Sequence, residues 1–219
     1  MTGETSDSSS LWDGVRPYLA PAPLAALALG VSSGFPFAMI GATLTTRLAQ
    51  DGIDKKSVTA FALVILAYNL KFLWAWIVEG VRLPVIGRLG RRVSWMLVAG
   101  AAVMLAVANL GLADPRVDVM GVAIAAILVG AAGATFDIVI DAYRIELLEP
   151  HQLGIGSGMS QYGWRLGSAA AGGIALVVAE RAGWSAAYLV CAAFALPAML
   201  TALGMGEPHR HHEIRARKP

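Results

Sequence analysis

Residues 93–113, VSWMLVAGAAVMLAVANLGLA, run between Arg92 and Asp114 without one charged side chain. A helix needs about 20 apolar residues to cross the hydrocarbon core of a bilayer, so this stretch reads as a membrane span. Working outward, five more gaps between charges have the same character. One runs from Pro17 to Thr46; a second lies between Lys56 and Glu79 and is broken only by Lys71. On the other side, a gap opens after Asp118 and stays uncharged to Asp137, with Asp141 and Arg144 closing it. Another lies between Glu149 and Glu180 with Arg165 near its middle, and the last runs from Ala182 to Gly206. The reading is an all-α integral membrane protein of six transmembrane helices.

Composition agrees. Of 219 residues, 57% are hydrophobic and 15% charged, with mean hydropathy +0.62, whereas a soluble domain must cover its surface with charge. Cys191 has no partner in the chain, which excludes a disulfide-stapled module. A net charge of +2 supplies no basic face, so nucleic acid is not expected as a partner and the lipid bilayer is. The first apolar run is much longer than the roughly 7 to 15 residues of a signal-peptide core, which marks it as a span.

The Lys/Arg bias sets orientation. With the N-terminus in the cytoplasm, that side carries Arg16, Arg82, Arg88, Arg91, Arg92, Arg144, Arg210, Arg215, Arg217 and Lys218. The opposite side carries Arg47, Lys55, Lys56, Arg116 and Arg181, so ten stand against five and both termini are expected inside. Trp74, Trp76 and Trp95 flank the second cytoplasmic loop, and Trp184 marks an outer boundary. Residues 1–20 read as a cytoplasmic tail, 21–206 as the helical bundle and 207–219 as a second cytoplasmic tail. His209, His211 and His212 lie in that last segment beside Arg210 and read as a solvated tail, so neither a metal site nor a cofactor is expected. The short linkers leave no room for an extramembrane catalytic domain, and no span carries a nucleophile-base or His-x-x-x-His arrangement, so the chain does not read as an enzyme.

Chemistry is then sought among the ionisable residues inside spans, which are costly unless paired. At about 1.5 Å per residue, Asp137 lies roughly 10 Å, Lys71 roughly 12 Å and Arg165 roughly 15 Å from the cytoplasmic boundary, a common layer. Asp137 and Asp141 stand four apart on one helical face, where their charges repel, an arrangement suited to carrying a proton. Arg144 follows Asp141 by three residues, and Gln161 precedes Arg165 by four, so each charge has a polar neighbour on its own helix. The alternatives are an ion-pair cluster that only fixes helix packing and, for Lys71, a side chain that snorkels to the headgroups.

Glycine spacing adds a packing signal. Gly30 and Gly34 on the first span, and Gly163 and Gly167 on the fifth, form G-x-x-x-G faces that allow close helix contact and are candidates for covering the open side of the bundle. Pro36 sits mid-span and is expected to break the hydrogen-bond ladder there.

Several stretches resemble, in the same order, the muropeptide permeases, the AmpG-like transporters of the major facilitator superfamily. They are Gly34-Phe35-Pro36, Lys71-Phe72-Leu73-Trp74, Gly87-Arg88-Leu89-Gly90-Arg91-Arg92, Asp137-Ile138-Val139-Ile140-Asp141-Ala142-Tyr143-Arg144 and Tyr162-Gly163-Trp164-Arg165-Leu166-Gly167. The resemblance runs from about Pro23 to Pro208. It implies a proton-driven importer of anhydro-muropeptides in a bacterial inner membrane, with twelve helices in two halves, each half two inverted three-helix repeats. This chain corresponds to the N-terminal half, and Gly206-Glu207-Pro208 resembles the start of the central linker. A second six-helix half or a second copy is therefore an expected partner, beside the solute and protons. The resemblance also implies a proton and solute pathway at Asp137, Asp141, Arg165, Lys71, Gln161 and Tyr162, and a cytoplasmic gate at Glu79, Arg88, Arg91, Arg92 and Arg144. The usual Asp-Arg pair of that gate is replaced here by Glu79-Gly80. A non-transporting membrane subunit that binds a partner protein is the alternative function.

Overall fold

A computed structural model describes residues 11–53, 70–81 and 89–208. Short helix α1 (Leu11–Val15) and a 3-10 turn lead into α2 (Pro21–Ala38), which starts on a proline at no cost because the first N–H groups of a helix have no acceptor within it. A π turn, Met39–Thr43, joins α2 to α3 (Leu44–Gln50), and the three make one apolar span, Pro21–Gln50. Pro36 has no N–H to give, so the ladder lacks one bond there, while the helical path runs on to Ala38 and the departure from helical angles comes at Gly41 (φ −88°, ψ −110°). The bend falls at Gly41, where an added Cβ would meet nothing within 4 Å.

A 3-10 turn at Leu70–Leu73 and α4 (Ala75–Gly80) are the described part of the second expected span. Helix α5 (Arg91–Leu112) matches the uncharged stretch that opened the argument. Helix α6 (Val119–Leu147) starts at Asp118, whose carboxylate accepts from the Gly121 N–H at 2.8 Å, an N-cap that fixes where the chain turns back. The next helical stretch, α7 (Leu153–Ala192), is interrupted at Gly183, with φ +84°. The Cys191 thiol lies 3.4 Å from the Ala171 carbonyl, whereas 20 residues of straight helix would separate them by about 30 Å. The chain therefore reverses at Gly183, an outgoing limb over 153–182 and a returning limb from 184. A 3-10 turn at Ala193–Ala195 leads into α8 (Leu196–Met205), which completes the returning limb. Among the described residues, four helical stretches are long and apolar enough to cross a membrane, and the last of them is this folded pair.

Helix α2 sits centrally, packed mainly on α7 and also against α6 and α8, while α5 contacts α6, α7 and α8. Leu29, Phe35, Met39, Met96, Phe136 and Tyr188 fill the interior with no exposed surface. Leu105, Met120, Ile124, Leu128 and Leu200 point outward, as side chains meant for lipid should. The α2–α7 seam is built on glycine. A Cβ on Gly30 would collide with the Ser160 carbonyl and one on Gly34 with that of Trp164. Gly163 and Gly167 meet the Leu27 and Val31 carbonyls in the same way. Both small-residue faces are consumed inside the bundle, so they are not free to cover its open side. Ser32 adds a polar stitch in the same region. Its hydroxyl accepts from the Ala198 N–H at 2.9 Å and donates to the Ala195 carbonyl at 3.5 Å, where Pro197 interrupts the returning limb.

Candidate functional site

Three helical elements bring polar side chains together inside the bundle. Lys71 pairs with one carboxylate oxygen of Asp137, and the Ser33 hydroxyl of α2 donates to the other. Asp141, one turn along α6, stands 3.6 Å from the same ammonium and accepts from Arg144 at 3.1 Å. Asp137 is largely buried, 14% exposed, while Asp141 is 45% exposed and opens to the surface. Lys71 therefore lies between a buried and a half-exposed carboxylate, and three residues on the Trp74 indole N–H donates to Thr135 of α6 at 3.1 Å. At about 1.5 Å per residue, Asp137 is roughly 15 Å from the α6 terminus at Leu147, with the half-exposed Asp141 between it and that end.

Of the residues expected on the pathway, Lys71, Asp137 and Asp141 meet, and Arg144 joins them. Arg165 does not: it is exposed on α7 and makes no hydrogen bond or ion pair among the described residues. The seam glycines explain this, because Gly163 and Gly167 point into α2 and turn Arg165 to the opposite side. Gln161 and Tyr162 are likewise exposed.

At the cytoplasmic end expected for the gate, Arg91 donates to the Glu79 backbone carbonyl at 2.5 Å. Arg92 is nearly buried and forms a fork on Glu146, with Nη2 2.6 Å and Nε 3.1 Å from its oxygens. Arg88 lies outside the described residues, as do Lys55, Lys56, Arg82 and the C-terminal histidines. The Glu207 carboxylate accepts from the backbone N–H groups of Arg92 and Val93 at 2.9–3.0 Å, capping α5 from the far end of the chain. Tyr143 donates to the Gly206 carbonyl at 2.7 Å. Gly90, at φ +102°, leaves room for the Glu207 side chain that any Cβ would occupy.

The opposite end holds a cluster that charge counting assigned to a loop. Arg47 is 4% exposed. Its guanidinium donates to the Leu110 and Ala113 carbonyls at the end of α5, the first at 2.9 Å, and lies 5.6 Å from the centre of the Tyr188 ring. Asp51 bridges it to Arg116, at 3.9 and 2.7 Å. The Tyr188 hydroxyl donates to the Met39 carbonyl at the first-span bend. Only the i,i+4 spacing of Arg47 and Asp51 hinted at this, and only Ser33's place in an uncharged span hinted at its contact with Asp137.

No solved structure matches the chain. It is 32% identical over 195 residues to the anhydromuropeptide permease of Escherichia coli (strain K12), covering 89% of this chain and 39% of that protein. It is 33% identical over 166 residues to the transporter named AmpG 4 of Rickettsia conorii, covering 75% of this chain and 40% of the other. The chain thus spans about two fifths of the length of the curated relatives it matches. The family model for the Major Facilitator Superfamily matches residues 24–219. On that match the chain belongs to the Major Facilitator Superfamily, and along most of its length it is similar to AmpG-type permeases.

Proposed function

We propose that this chain is the N-terminal six-helix half, two inverted three-helix repeats with both termini cytoplasmic, of a proton-coupled transporter in a bacterial inner membrane. Its solute is an anhydromuropeptide, and the second half is a separate chain, a continuation of this one, or a second copy. Relatives named as muropeptide permeases support the solute class, and their greater length supports the need for more helices. The observation that carries the mechanism is the buried carboxylate of Asp137, held at one oxygen by Lys71 and at the other by Ser33, with Asp141 3.6 Å from the same ammonium.

The chemistry follows from that count of donors. While Asp137 is ionised, Lys71 neutralises it and the Lys71 segment is fastened to α6 at depth. A proton delivered from water to a carboxylate oxygen of Asp137 cancels the charge that holds the ammonium. Lys71 then pairs with Asp141, four residues nearer the surface, and takes the helical end that carries it along. Proton loss reverses the exchange. One proton thus selects between two positions of one helix relative to another, the kind of bistable contact that alternating access requires.

The test is Asp137→Asn in the chain reconstituted with a second half in liposomes under an imposed proton gradient. The variant is expected to insert and fold while losing proton-coupled muropeptide uptake. Coupling at the wild-type level would refute the assignment.

A further inference from the structure

One stripe of the α7 outgoing limb is used neither by the ion cluster nor by the glycine seam. At about 100° per residue, Gly172 and Leu176 point within about 20° of Arg165, while Gly163 and Gly167 point about 160° away. Beside this stripe lies a hollow of about 300 Å³ between the bent first span and α7. Phe37, Thr43 and Thr46 line one side, and Ser168, Gly172 and Leu176 the other. Its volume is at the lower end for small-molecule sites, which run from about 300 to 1,000 Å³. Gly172 leaves the floor open, since a Cβ there would meet nothing within 4 Å. The Phe37 wall is backed by Trp164, the ring centres 5.6 Å apart.

The polar groups specify what fits. Thr46 spends its hydroxyl proton on the Ala42 carbonyl at 2.8 Å, so it offers lone pairs to a donor such as an amide N–H. Arg165 lies seven residues from Gly172, about 10 Å along the helix. That is close to the length of three extended peptide residues. A guanidinium twelve residues, or roughly 18 Å, from the start of α7 cannot face hydrocarbon unpaired, so the stripe belongs to a surface that meets water or an anion.

We propose that the hollow and Arg165 form the two ends of a subsite for an anionic glycopeptide, an N-acylated sugar ring seated on Gly172 and a stem carboxylate about 10 Å away on Arg165. This inference rests on the transport reading above and assigns its solute to particular side chains. An Arg fork recognises a carboxylate, and the apolar wall with a hydroxyl acceptor suits an acylated ring.

The test is equilibrium binding of N-acetylmuramyl-L-alanyl-D-isoglutamine to the purified 219-residue chain in detergent, beside the same compound with its carboxylate amidated. The acid is expected to bind about tenfold more tightly than the amide. Arg165→Gln is expected to lower the acid to the level of the amide and leave the amide unchanged. Gly172→Leu, which enters open space, is expected to weaken both about tenfold at unaltered helix content. No binding to the wild-type chain, or acid affinity unchanged by either substitution, overturns the proposal. So does loss of a co-purified lipid in Gly172→Leu with probe affinity unaltered, since the hollow is then a lipid groove. Proton-driven uptake indifferent to both substitutions refutes the subsite and leaves the transport reading standing. The expected binding pattern without proton-driven uptake refutes the transport reading instead.

Discussion

Arg47→Met removes a cation from the end of the bundle opposite Glu207 while keeping the stem that packs there, so it isolates the polar work of that residue. Two helix-terminal carbonyls, of Leu110 and Ala113, lose their donors, Tyr188 loses the cation near its ring, and Asp51 keeps only Arg116. Each charged hydrogen bond contributes about 1.5–3 kcal/mol and the ring contact about 0.5–2 kcal/mol. Against this stands the desolvation of a guanidinium that is 4% exposed, which the substitution relieves. Removing one member of such a buried set costs about 3–5 kcal/mol, and the lower end applies because Asp51 retains a partner. A destabilisation of about 3 kcal/mol is expected. It is measured by reversible unfolding in mixed micelles, with Arg116→Met, which removes a 65% exposed side chain, as the control at about 0–1 kcal/mol. Equal stabilities of the two variants would mean that Arg47 is a loop charge after all.

Two further predictions address the seam and the Glu207 cap of α5. Gly163→Leu should prevent α2 and α7 from closing, and the chain should fail to give a monodisperse detergent complex, while Gly158→Leu, in open space, should purify like the wild type. Glu207→Gln keeps an acceptor but loses the charge facing two N–H groups of α5, and should lower stability by about 0.5–1 kcal/mol; Glu207→Ala removes the cap and should cost about 1–2 kcal/mol. The ordering of those two variants is the check, and equal stability of Glu207→Ala and wild type would dismiss the cap.

Sequence by itself determined that this chain is helical and lies in a membrane, because the length of an uncharged run is set by bilayer thickness and needs no partner to interpret. The span at 93–113, the start of α6 after Asp118 and the four-residue spacing of Asp137 and Asp141 were all legible for that local reason. The glycine spacings were legible as packing faces, though which helix each would meet was not. Tertiary structure decided the pairings. Lys71 and Arg165 are two cations at similar depth, and only the direction of the glycine seam gives the first to Asp137 and turns the second away. Both ends of α5 are satisfied from elsewhere in the chain, by Glu207 and by Arg47, and no local rule selects a donor or acceptor more than sixty residues distant. A proline's missing donor is visible in sequence, but the departure from helical angles falls five residues further on, at Gly41, where an added Cβ would meet nothing within 4 Å. Helix length answers to the solvent, whereas the partner of a buried charge answers to the one arrangement in which every helix has closed on its neighbours.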